Sequence, residues 1–328
     1  MPKTRARYRS YSSYLREKYG QTVYRVAVDA GFSCPNRKPD RSAPGCLYCD
    51  EHGARAPYQG PSDTAQTGPA IPPPAPGDRE DIRRQVERGI AFLKQRYGAE
   101  IFLLYFQAFS GTFAPVDRLK EIYDFTLGLT SFRELIVSTR PDCVDRKRAD
   151  LLASYLSPDF DVWTELGLQS AHDATLRRIN RGHTVADFTR TWKLLKRRGV
   201  KLTVHLIFGL PGEGMREILE TVRFVAGLEP EGVKIHNLHI PTGSPLYGDY
   251  LRGELSAPCA DRHLDTVCRA LELLPPGTVI MRLTCDTPAA RLACPRHFPA
   301  KAAFYDRVIR ELEARNSRQG GKYLQLER

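Results

Sequence analysis

The chain has 328 residues, of which 41% are hydrophobic, so it can bury the core of one large domain or of two modest ones. That composition excludes a disordered protein. The formal net charge of +11 at pH 7 favours an anionic partner, nucleic acid above all, although a generally basic proteome would account for the same surplus.

Neither end of the chain nor its middle shows a membrane signal. Residues 1–20 are basic and contain no apolar stretch of the kind found in signal peptides. No apolar run approaches the roughly 20 residues that span a bilayer. We therefore expect a cytoplasmic protein without a membrane partner. In a reducing compartment its eight cysteines are poor disulfide candidates, and clustered ones indicate metal ligands or catalysts.

Apolar strands and amphipathic helices alternate along most of the chain. Six strands are predicted at 22–28, 101–109, 134–139, 162–169, 201–208 and 233–240. Helices are predicted at 78–97, 116–129, 145–156, 173–180, 185–198, 215–228 and 261–274. The alternation predicts an α/β protein whose parallel sheet closes partly into a barrel, with its chemistry at the carboxyl ends of the strands.

Changes in composition divide the chain into three predicted segments. A basic, tyrosine-rich extension covers 1–20, the barrel covers 21–275, and a C-terminal extension with an edge strand and a helix covers 276–328. Residues 55–77 are rich in Pro, Gly and Ala and lack apolar periodicity, which predicts a flexible insertion within the barrel.

Three cysteines, Cys34, Cys46 and Cys49, lie within sixteen residues directly after the first predicted strand. Thiolates are soft ligands that suit iron–sulfur clusters, zinc or cuprous ions. A [4Fe–4S] cluster held by three cysteines has one iron open to another ligand. The spacing alone also allows a structural zinc site in which His52 is the fourth ligand.

Six further motifs follow in order along the chain, and together they carry a family resemblance. They are GFSCPNR at 31–37, YFQAF at 105–109, TRPDC at 139–143, ELGLQS at 165–170, INRGH at 179–183 and LIFGLPGE at 206–213. With the cysteine loop they resemble the radical S-adenosylmethionine superfamily, specifically its YhcC/YtqA branch. The core also resembles the catalytic subunit of Elongator. The resemblance implies a partial (β/α)6 radical SAM barrel with short N- and C-terminal extensions.

This resemblance implies a [4Fe–4S] cluster and S-adenosylmethionine as cofactors. Cys34, Cys46 and Cys49 would bind three irons, and the amino and carboxylate groups of S-adenosylmethionine would chelate the fourth. A reductant such as flavodoxin or ferredoxin would supply the electron that cleaves the sulfonium bond. The resulting 5′-deoxyadenosyl radical would then take a hydrogen atom from the substrate.

The resemblance also suggests which side chains contact the S-adenosylmethionine. Gln107 has independent support, because a buried glutamine inside an apolar run needs a hydrogen-bond partner. Two assignments have ordinary alternatives: Arg181 as a helix-end cation and His205 as a hydrogen-bonded core histidine. The expected cofactor-binding residues are Tyr48, Gln107, Thr139, Glu165, Gln169, Arg181 and His205.

Four residues are catalytic candidates: His205, Lys234, His236 and Cys143. Lys234 and His236 alternate onto one face of the sixth strand, where they are expected to look into the barrel, and His239 is expected on the other face. Cys143 ends a family motif at a strand end, where quenching of a substrate radical is a conceivable role.

Members of this branch are implicated in converting the carboxymethylaminomethyl group on the wobble uridine of tRNA to an aminomethyl group. The positive charge fits a tRNA partner. Tyrosines in the N-terminal extension alternate with arginines, which suits stacking on an exposed nucleotide, but an N-terminal helix that packs its tyrosines on the barrel explains them equally well. The tyrosines are Tyr8, Tyr11, Tyr14 and Tyr19.

Two other functions remain open: a radical enzyme acting on a small molecule or protein, and a non-catalytic RNA-binding protein with structural zinc.

Overall fold

Seven parallel strands form one curled sheet in the computed structural model, which describes residues 6–37, 43, 45–49 and 78–323. The first six strands lie side by side in chain order, and the eighth strand of the chain joins the edge of the sixth. The strands are β1 (Val23–Val28), β2 (Ile101–Phe106), β3 (Phe132–Thr139), β4 (Asp161–Gln169), β5 (Lys201–Phe208), β6 (Gly232–Asn237), β7 (Ile240–Pro241), β8 (Val279–Arg282) and β9 (Leu292–Cys294).

Helices follow most strands, as the alternation in the sequence predicted. They are α1 (Tyr11–Tyr19), α2 (Arg79–Tyr97), α3 (Val116–Leu127), α4 (Arg146–Ala153), α5 (Asp173–Arg178), α6 (Val185–Lys196), α7 (Met215–Ala226), α8 (Leu246–Leu251), α9 (Ala260–Leu273) and α10 (Lys301–Ala314). Their ends carry ordinary capping chemistry. In α2, for example, the Asp78 side chain accepts the Glu80 N–H, and Gly98 ends the helix in a left-handed conformation.

The expected α/β half-barrel is therefore confirmed, and the edge strand predicted at 278–283 is present as β8. One strand prediction was wrong. The run 233–240 is broken after Asn237, and β7 pairs instead with β9 in a separate antiparallel ribbon. As a result His239 lies outside the sheet, where its Nδ1 meets the Thr287 hydroxyl at 2.8 Å.

The two faces of the sheet have different environments. The outer face packs against the helices in the main hydrophobic core, which includes Leu104, Val204 and Val222. The inner face carries a second, smaller apolar cluster around Trp163, Ile136 and Leu103. Such burial on both faces explains why the strands appear in the sequence as continuous apolar runs.

Helix α1 covers the amino-terminal end of this inner face. Leu15 is 4% exposed in the inner cluster, and the ring of Tyr14 meets Trp163 edge-on with 5.9 Å between ring centroids. Tyr19 donates its hydroxyl to Glu134 at 2.8 Å, and Lys18 bonds the same carboxylate at 2.6 Å. Helix α1 is thus the floor of the half-barrel.

The N-terminal tyrosines belong to this packing. The hydroxyl of Tyr11 accepts a hydrogen bond from Arg25 Nε at 3.2 Å, and Tyr8 packs at the margin of the main core. With Tyr14 and Tyr19 engaged as well, the tyrosines do not form a free stacking platform. The alternative of a packed N-terminal helix is confirmed, and nucleotide stacking on these tyrosines stays a prediction.

Two sequence predictions cannot be compared with the structure. The insertion at 55–77 and His52, the fourth ligand in the zinc alternative, both lie outside the described residues. The boundaries of the three segments also stay predictions. None of the helices in the described part of the chain combines the length and the apolarity needed to cross a bilayer.

Replacing Leu15 with Ala should destabilise the protein by about 2–5 kcal/mol, because it leaves a cavity between α1 and the inner face of the sheet. Urea unfolding followed by far-UV circular dichroism would measure the change. The control is Leu251→Ala, since Leu251 is 66% exposed and its loss should cost about 0.5 kcal/mol or less. Equal stabilities of the two variants would show that α1 is not part of the folded core.

Candidate active site

The three clustered cysteines lie at the carboxyl edge of the sheet, in the loop after β1. Cys34 and Cys46 are buried, Cys49 is half-buried, and all three are free thiols. The Cys49 N–H donates to the carbonyl of Cys46 at 2.9 Å. The Leu47 N–H donates to the carbonyl of Ile179 at 3.0 Å, which ties the loop to the chain after β4.

Cys46 lies among donors from three different segments. Arg140 Nη1 and Arg181 Nη1 each approach its sulfur at 3.6 Å, and Asn36 Nδ2 approaches at 3.4 Å. Burial alone would raise the pKa of this thiol, but the two guanidinium groups more than offset it, so the pKa is lowered. Cys46 is therefore favoured as a thiolate, the form in which cysteine binds metal.

For the other two thiols the nearby arginines do not offset burial. Burial raises the pKa of Cys34, and burial together with the nearby Cys46 raises the pKa of Cys49 to about 12. A metal that binds these thiols must displace their protons, so its own positive charge has to supply the missing stabilisation.

The arrangement of the cysteines fits a cluster better than a single ion. Within the described ranges, no three His, Cys, Asp or Glu side chains lie close enough to hold one metal ion. A [4Fe–4S] cluster has different requirements, because each cysteine binds a different iron and the three sulfurs stand apart around it. Three free thiols close enough to act on one another's pKa, beside two buried cations that offset their negative charge, match those requirements.

Arg181 is locked beside Cys46 by its own hydrogen bonds. Its Nη2 donates to the carbonyl of Gly167 at 2.8 Å and its Nε donates to His183 Nε2 at 3.0 Å. Burial and the neighbouring Arg181 lower the pKa of His183 to about 4, so the imidazole is neutral and can accept that bond. A Cβ on Gly167 would come within 2.5 Å of Arg181 Nη2, so only glycine fits there. Arg181 is accordingly a buried part of the site, while its contact with a cofactor carboxylate stays a prediction.

Two glutamines stand at the same edge of the sheet. Gln107 is the first residue after β2, and Gln169 ends β4 in a left-handed conformation with φ of +75°. Their side-chain amides make no hydrogen bonds within the described part of the chain. Both amides are therefore available to a ligand, although their role in binding one is not tested by the structure.

The other expected cofactor contacts at this edge are differently placed. Tyr48 packs among Leu176, Ile179 and Ile207, and burial raises its pKa well above the usual value. The hydroxyl of Thr139 is already hydrogen-bonded to the hydroxyl of Thr112. The ring of Tyr48 can therefore contact the cofactor more readily than the hydroxyl of Thr139, which already has a partner. Both assignments stay predictions.

Cys143 is buried below this edge. Its sulfur accepts a hydrogen bond from the Ser110 hydroxyl at 3.3 Å, and burial, with a smaller effect of Asp142, raises its pKa to about 11. It is therefore a protonated thiol behind the site, and a role in radical quenching stays a prediction.

Deeper in the half-barrel, Glu165 is buried and bonded by donors from four other strands. Arg25 Nη1 lies 2.8 Å from Oε1, while Lys234 Nζ at 2.7 Å, His205 Nε2 at 2.8 Å and the Tyr105 hydroxyl reach Oε2. We call Arg25, Tyr105, Glu165, His205 and Lys234 the Glu165 cluster. Both carboxylate oxygens of Glu165 are thus hydrogen-bonded to other side chains of the protein. The predicted bond from Glu165 to the cofactor would have to replace or share one of these hydrogen bonds.

Charge in the Glu165 cluster follows from burial and these contacts. Burial would raise the pKa of Glu165, but Lys234, Arg25 and His205 hold it well below the usual value. Burial lowers the pKa of His205 to about 4, so its imidazole is neutral and Nε2 donates to the carboxylate. Burial also lowers the pKa of Lys234 to about 7, against the opposing effect of Glu165. Lys234 therefore exchanges its proton more easily than an exposed lysine.

His236 lies next to this cluster, toward the carboxyl edge. Its ring centroid is 5.7 Å from that of His205, and its buried Nε2 has no hydrogen-bond partner among the described residues. Burial lowers its pKa well below the usual value. The structure thus brings together three of the four catalytic candidates, His205, Lys234 and His236, and places Cys143 apart from them.

Sequence reasoning missed Arg25, Tyr105 and Arg282 as parts of this interior. The signal available was a charged residue inside an apolar strand, which is costly to bury unless it is paired. Arg25 interrupts VYRVAV in β1, and Arg282 ends VIMR in β8.

A parallel half-barrel with three thiols at its carboxyl edge, and with polar side chains converging from five strands, defines an enzyme of the metal-cluster class. Residues 34–225 match the model of the radical SAM superfamily, and residues 230–314 match that of the radical SAM C-terminal domain. The chain belongs to the radical SAM superfamily, whose members use a [4Fe–4S] cluster and S-adenosylmethionine.

Similar proteins extend over almost the whole chain. Protein YtqA of Bacillus subtilis is 33% identical over 325 residues, which are 99% of this chain and 95% of YtqA. Protein YhcC of Escherichia coli is 36% identical over 281 residues, covering 86% of this chain and 84% of YhcC. The family assignment from the sequence is thereby confirmed, and the structural-zinc alternative is wrong.

A solved structure supports the fold independently. Elp3 of the archaeon Methanocaldococcus infernus, with an N-terminal deletion, superposes with a TM-score of 0.62. It is 19% identical and covers 76% of this chain and 64% of the Elp3 chain. At this level of identity the likeness concerns the fold.

Replacing Cys46 with Ala should abolish cluster assembly, because it removes the thiol that Arg140 and Arg181 favour as a thiolate. Iron and sulfide are counted after anaerobic reconstitution, with about four irons expected in the wild type and near zero in the variant. Cys259→Ala is the matched control, since Cys259 is an exposed free thiol on the same chain. Full iron content in Cys46→Ala would contradict the ligand assignment.

Proposed function

We propose that this protein modifies tRNA by radical chemistry, converting the carboxymethylaminomethyl group on carbon 5 of the wobble uridine to an aminomethyl group. Membership of the superfamily and the similarity to YtqA and YhcC over nearly the whole chain support the radical chemistry. The substrate assignment rests on the resemblance of the motifs to this branch and on the charge distribution described next.

The observation that carries the proposal is a rim of exposed cations at the carboxyl edge of the sheet. Four of them lie in the first turns of α4, α9 and α10, and Arg177 and Arg178 lie in the last turn of α5, which follows β4. Arg178 reaches Gly212 in the loop after β5, at the same edge as the cysteine loop. None of them forms an ion pair within the described residues. Exposed, unpaired Lys and Arg side chains are the groups that contact nucleic-acid phosphates. The rim cations are Arg146, Lys147, Arg177, Arg178, Arg262 and Lys301.

Most acidic groups near this edge are already neutralised. Asp142 pairs with Arg140 at 2.8 Å, Asp145 pairs with Arg148 at 2.6 Å, and Asp261 pairs with Arg307. The rim therefore keeps a local positive surplus, which matches the charge of +11 for the whole chain. Other basic surfaces contribute less, because Lys196 and Arg198 on and after α6 are paired with Glu231 and Asp150.

The chain's own residues divide the work by depth in the half-barrel. Cys34, Cys46 and Cys49 would hold the cluster, and when bound with S-adenosylmethionine it supplies the 5′-deoxyadenosyl radical. Arg181 and Arg140 approach Cys46 Sγ and would stabilise its thiolate, while the free amides of Gln107 and Gln169 would hold polar parts of the cofactor. Lys234, with a pKa lowered to about 7, can hold or release a proton near the substrate.

The direct test is a nucleoside profile of tRNA from a strain that lacks this protein. Carboxymethylaminomethyluridine should accumulate at the wobble position and aminomethyluridine should be lost, as measured by liquid chromatography and mass spectrometry. Purified protein, reductant and S-adenosylmethionine should reverse the change in extracted tRNA and release 5′-deoxyadenosine. An unchanged wobble-uridine profile in the deletion strain would refute the proposed substrate.

Replacing Arg177 and Arg178 together with Gln should weaken tRNA binding and reduce the slope of log affinity against log salt by about one to two, because each phosphate contact releases a counterion. Filter binding at several salt concentrations would measure it. The control is Arg88→Gln with Arg133→Gln, two exposed arginines away from the carboxyl edge, on α2 and at the start of β3. Equal slopes for both double variants would show that the rim does not bind the RNA backbone.

A further inference from the structure

Arg282 is a cation of the half-barrel interior whose guanidinium has no hydrogen bond or ion pair in the described part of the chain. It ends β8 and is partly buried. Burial is the largest cause of the lowered pKa values of Lys234 and His236, and the charge of Arg282 lowers both further. Arg282 therefore lies close enough to act electrostatically on both side chains. A partly buried guanidinium without a partner among the described residues is available to bind an anion.

An irregularity in the sheet turns Arg282 inward. Val233 pairs with Ile280, but the next pair joins Lys234 to Arg282, so Met281 is an extra residue in β8. Met281 packs against the inner apolar cluster, and strict alternation would then send Arg282 to the outer face. The bulge places both side chains toward the interior instead, which is a common use of bulges beside active sites.

The nearby charges do not balance. Arg25 and Lys234 share the single carboxylate of Glu165, at 2.8 Å and 2.7 Å, and Glu165 has no further oxygen for Arg282. Lys301, exposed at the start of α10, adds a further positive charge, and the exposed carboxylate of Asp286 acts on it in the opposite sense. Arg25, Lys234, Arg282 and Lys301 thus face the two carboxylates of Glu165 and Asp286. The interior around Arg282 and Lys234 therefore has a positive surplus.

Beside this surplus is a second unsatisfied polar atom. His236 Nε2 is buried and has no hydrogen-bond partner among the described residues, and His236 follows Lys234 by two positions on the same face of β6. A planar anion held by the Arg282 fork and accepting a hydrogen bond from His236 Nε2 would satisfy both groups, with Lys234 adding its charge beside it. A carboxylate suits the guanidinium fork because it can accept two parallel hydrogen bonds.

We infer that Arg282, with Lys234 and His236, forms a subsite for a carboxylate of the substrate, separate from the cysteine loop and the Arg181 region. This inference rests on the proposed function, because the carboxymethylaminomethyl group of the wobble uridine carries such a carboxylate. In this arrangement the rim cations hold the RNA backbone, and Arg282 selects the modified base by its charged side chain.

The test measures binding without turnover. Full-length protein with its cluster and saturating S-adenosylmethionine, but no reductant, is dialysed against the nucleoside 5-carboxymethylaminomethyluridine or its methyl ester. The wild type should bind the free carboxylate at least about tenfold more tightly than the ester, since hydrogen bonds to charged groups are strong. In Arg282→Met the two affinities should become equal. Equal affinities already in the wild type, or an unchanged preference in Arg282→Met, would overturn the subsite.

Controls separate the subsite from general effects. Arg88→Met removes an exposed arginine from α2 and should keep the full preference. If Arg282→Met does not fold, as judged by circular dichroism, Arg282→Lys takes its place: it keeps the charge but loses the fork, and an unchanged preference would again overturn the subsite. Inorganic phosphate is the competing anion. If phosphate displaces the acid and the ester alike, and Arg282→Met abolishes that displacement, the subsite binds phosphate and the carboxylate assignment is wrong.

Failure of the subsite and failure of the proposed tRNA reaction give different results. Wild-type protein that shows the Arg282-dependent preference but leaves tRNA unmodified would refute the wobble-uridine reaction and retain the carboxylate subsite. Wild-type protein that modifies tRNA while Arg282→Met keeps the same preference would refute the subsite and retain the reaction.

Discussion

The buried carboxylate of Glu165 is the interaction on which the interior of the half-barrel depends. Its partners come from β1, β2, β5 and β6, so one side chain on β4 links five of the seven parallel strands. A buried charge left without partners costs several kcal/mol, so these strands must keep the register that brings the donors to it. The same requirement fixes the spacing of the polar groups that line the site.

The strand and helix order was predictable because both faces of the sheet are covered. A strand buried on both faces appears as a continuous apolar run, and the run at 201–208 coincides with β5. The run at 233–240 was wrongly predicted as one strand, because apolar residues continue past the point where β6 stops pairing with its neighbours in the sheet. Asn237 accepts hydrogen bonds on its side chain from the Thr284 hydroxyl and the Cys285 N–H, and the chain turns away to form β7. Thr284 and Cys285 are far from Asn237 in the sequence, so the local pattern of residues does not reveal this contact.

Site residues that belong to sequence motifs could be predicted, and site residues that are positioned only by the packing of the strands could not. The three cysteines and Arg181 lie together as their motifs suggested. Arg282 is different, because alternation along β8 assigns Met281 and Arg282 to opposite faces and only the irregular pairing with β6 reverses that. Similarly, the N-terminal tyrosines had two equal interpretations in the sequence, and packing on the barrel became visible only in contacts such as that of Tyr14 with Trp163.

Helix α1 gives the interior a closed floor, which constrains the order of events in the reaction. Since Leu15 and Tyr14 fill the amino-terminal end, small molecules reach the interior from the carboxyl edge, where the cysteine loop lies. A macromolecule docked on the rim cations would cover that same entrance. The small cofactor must then enter before the macromolecule docks, and its fragments must leave after the macromolecule departs. The enzyme would therefore follow a compulsory binding sequence, in which each docking event is limited to a single turnover.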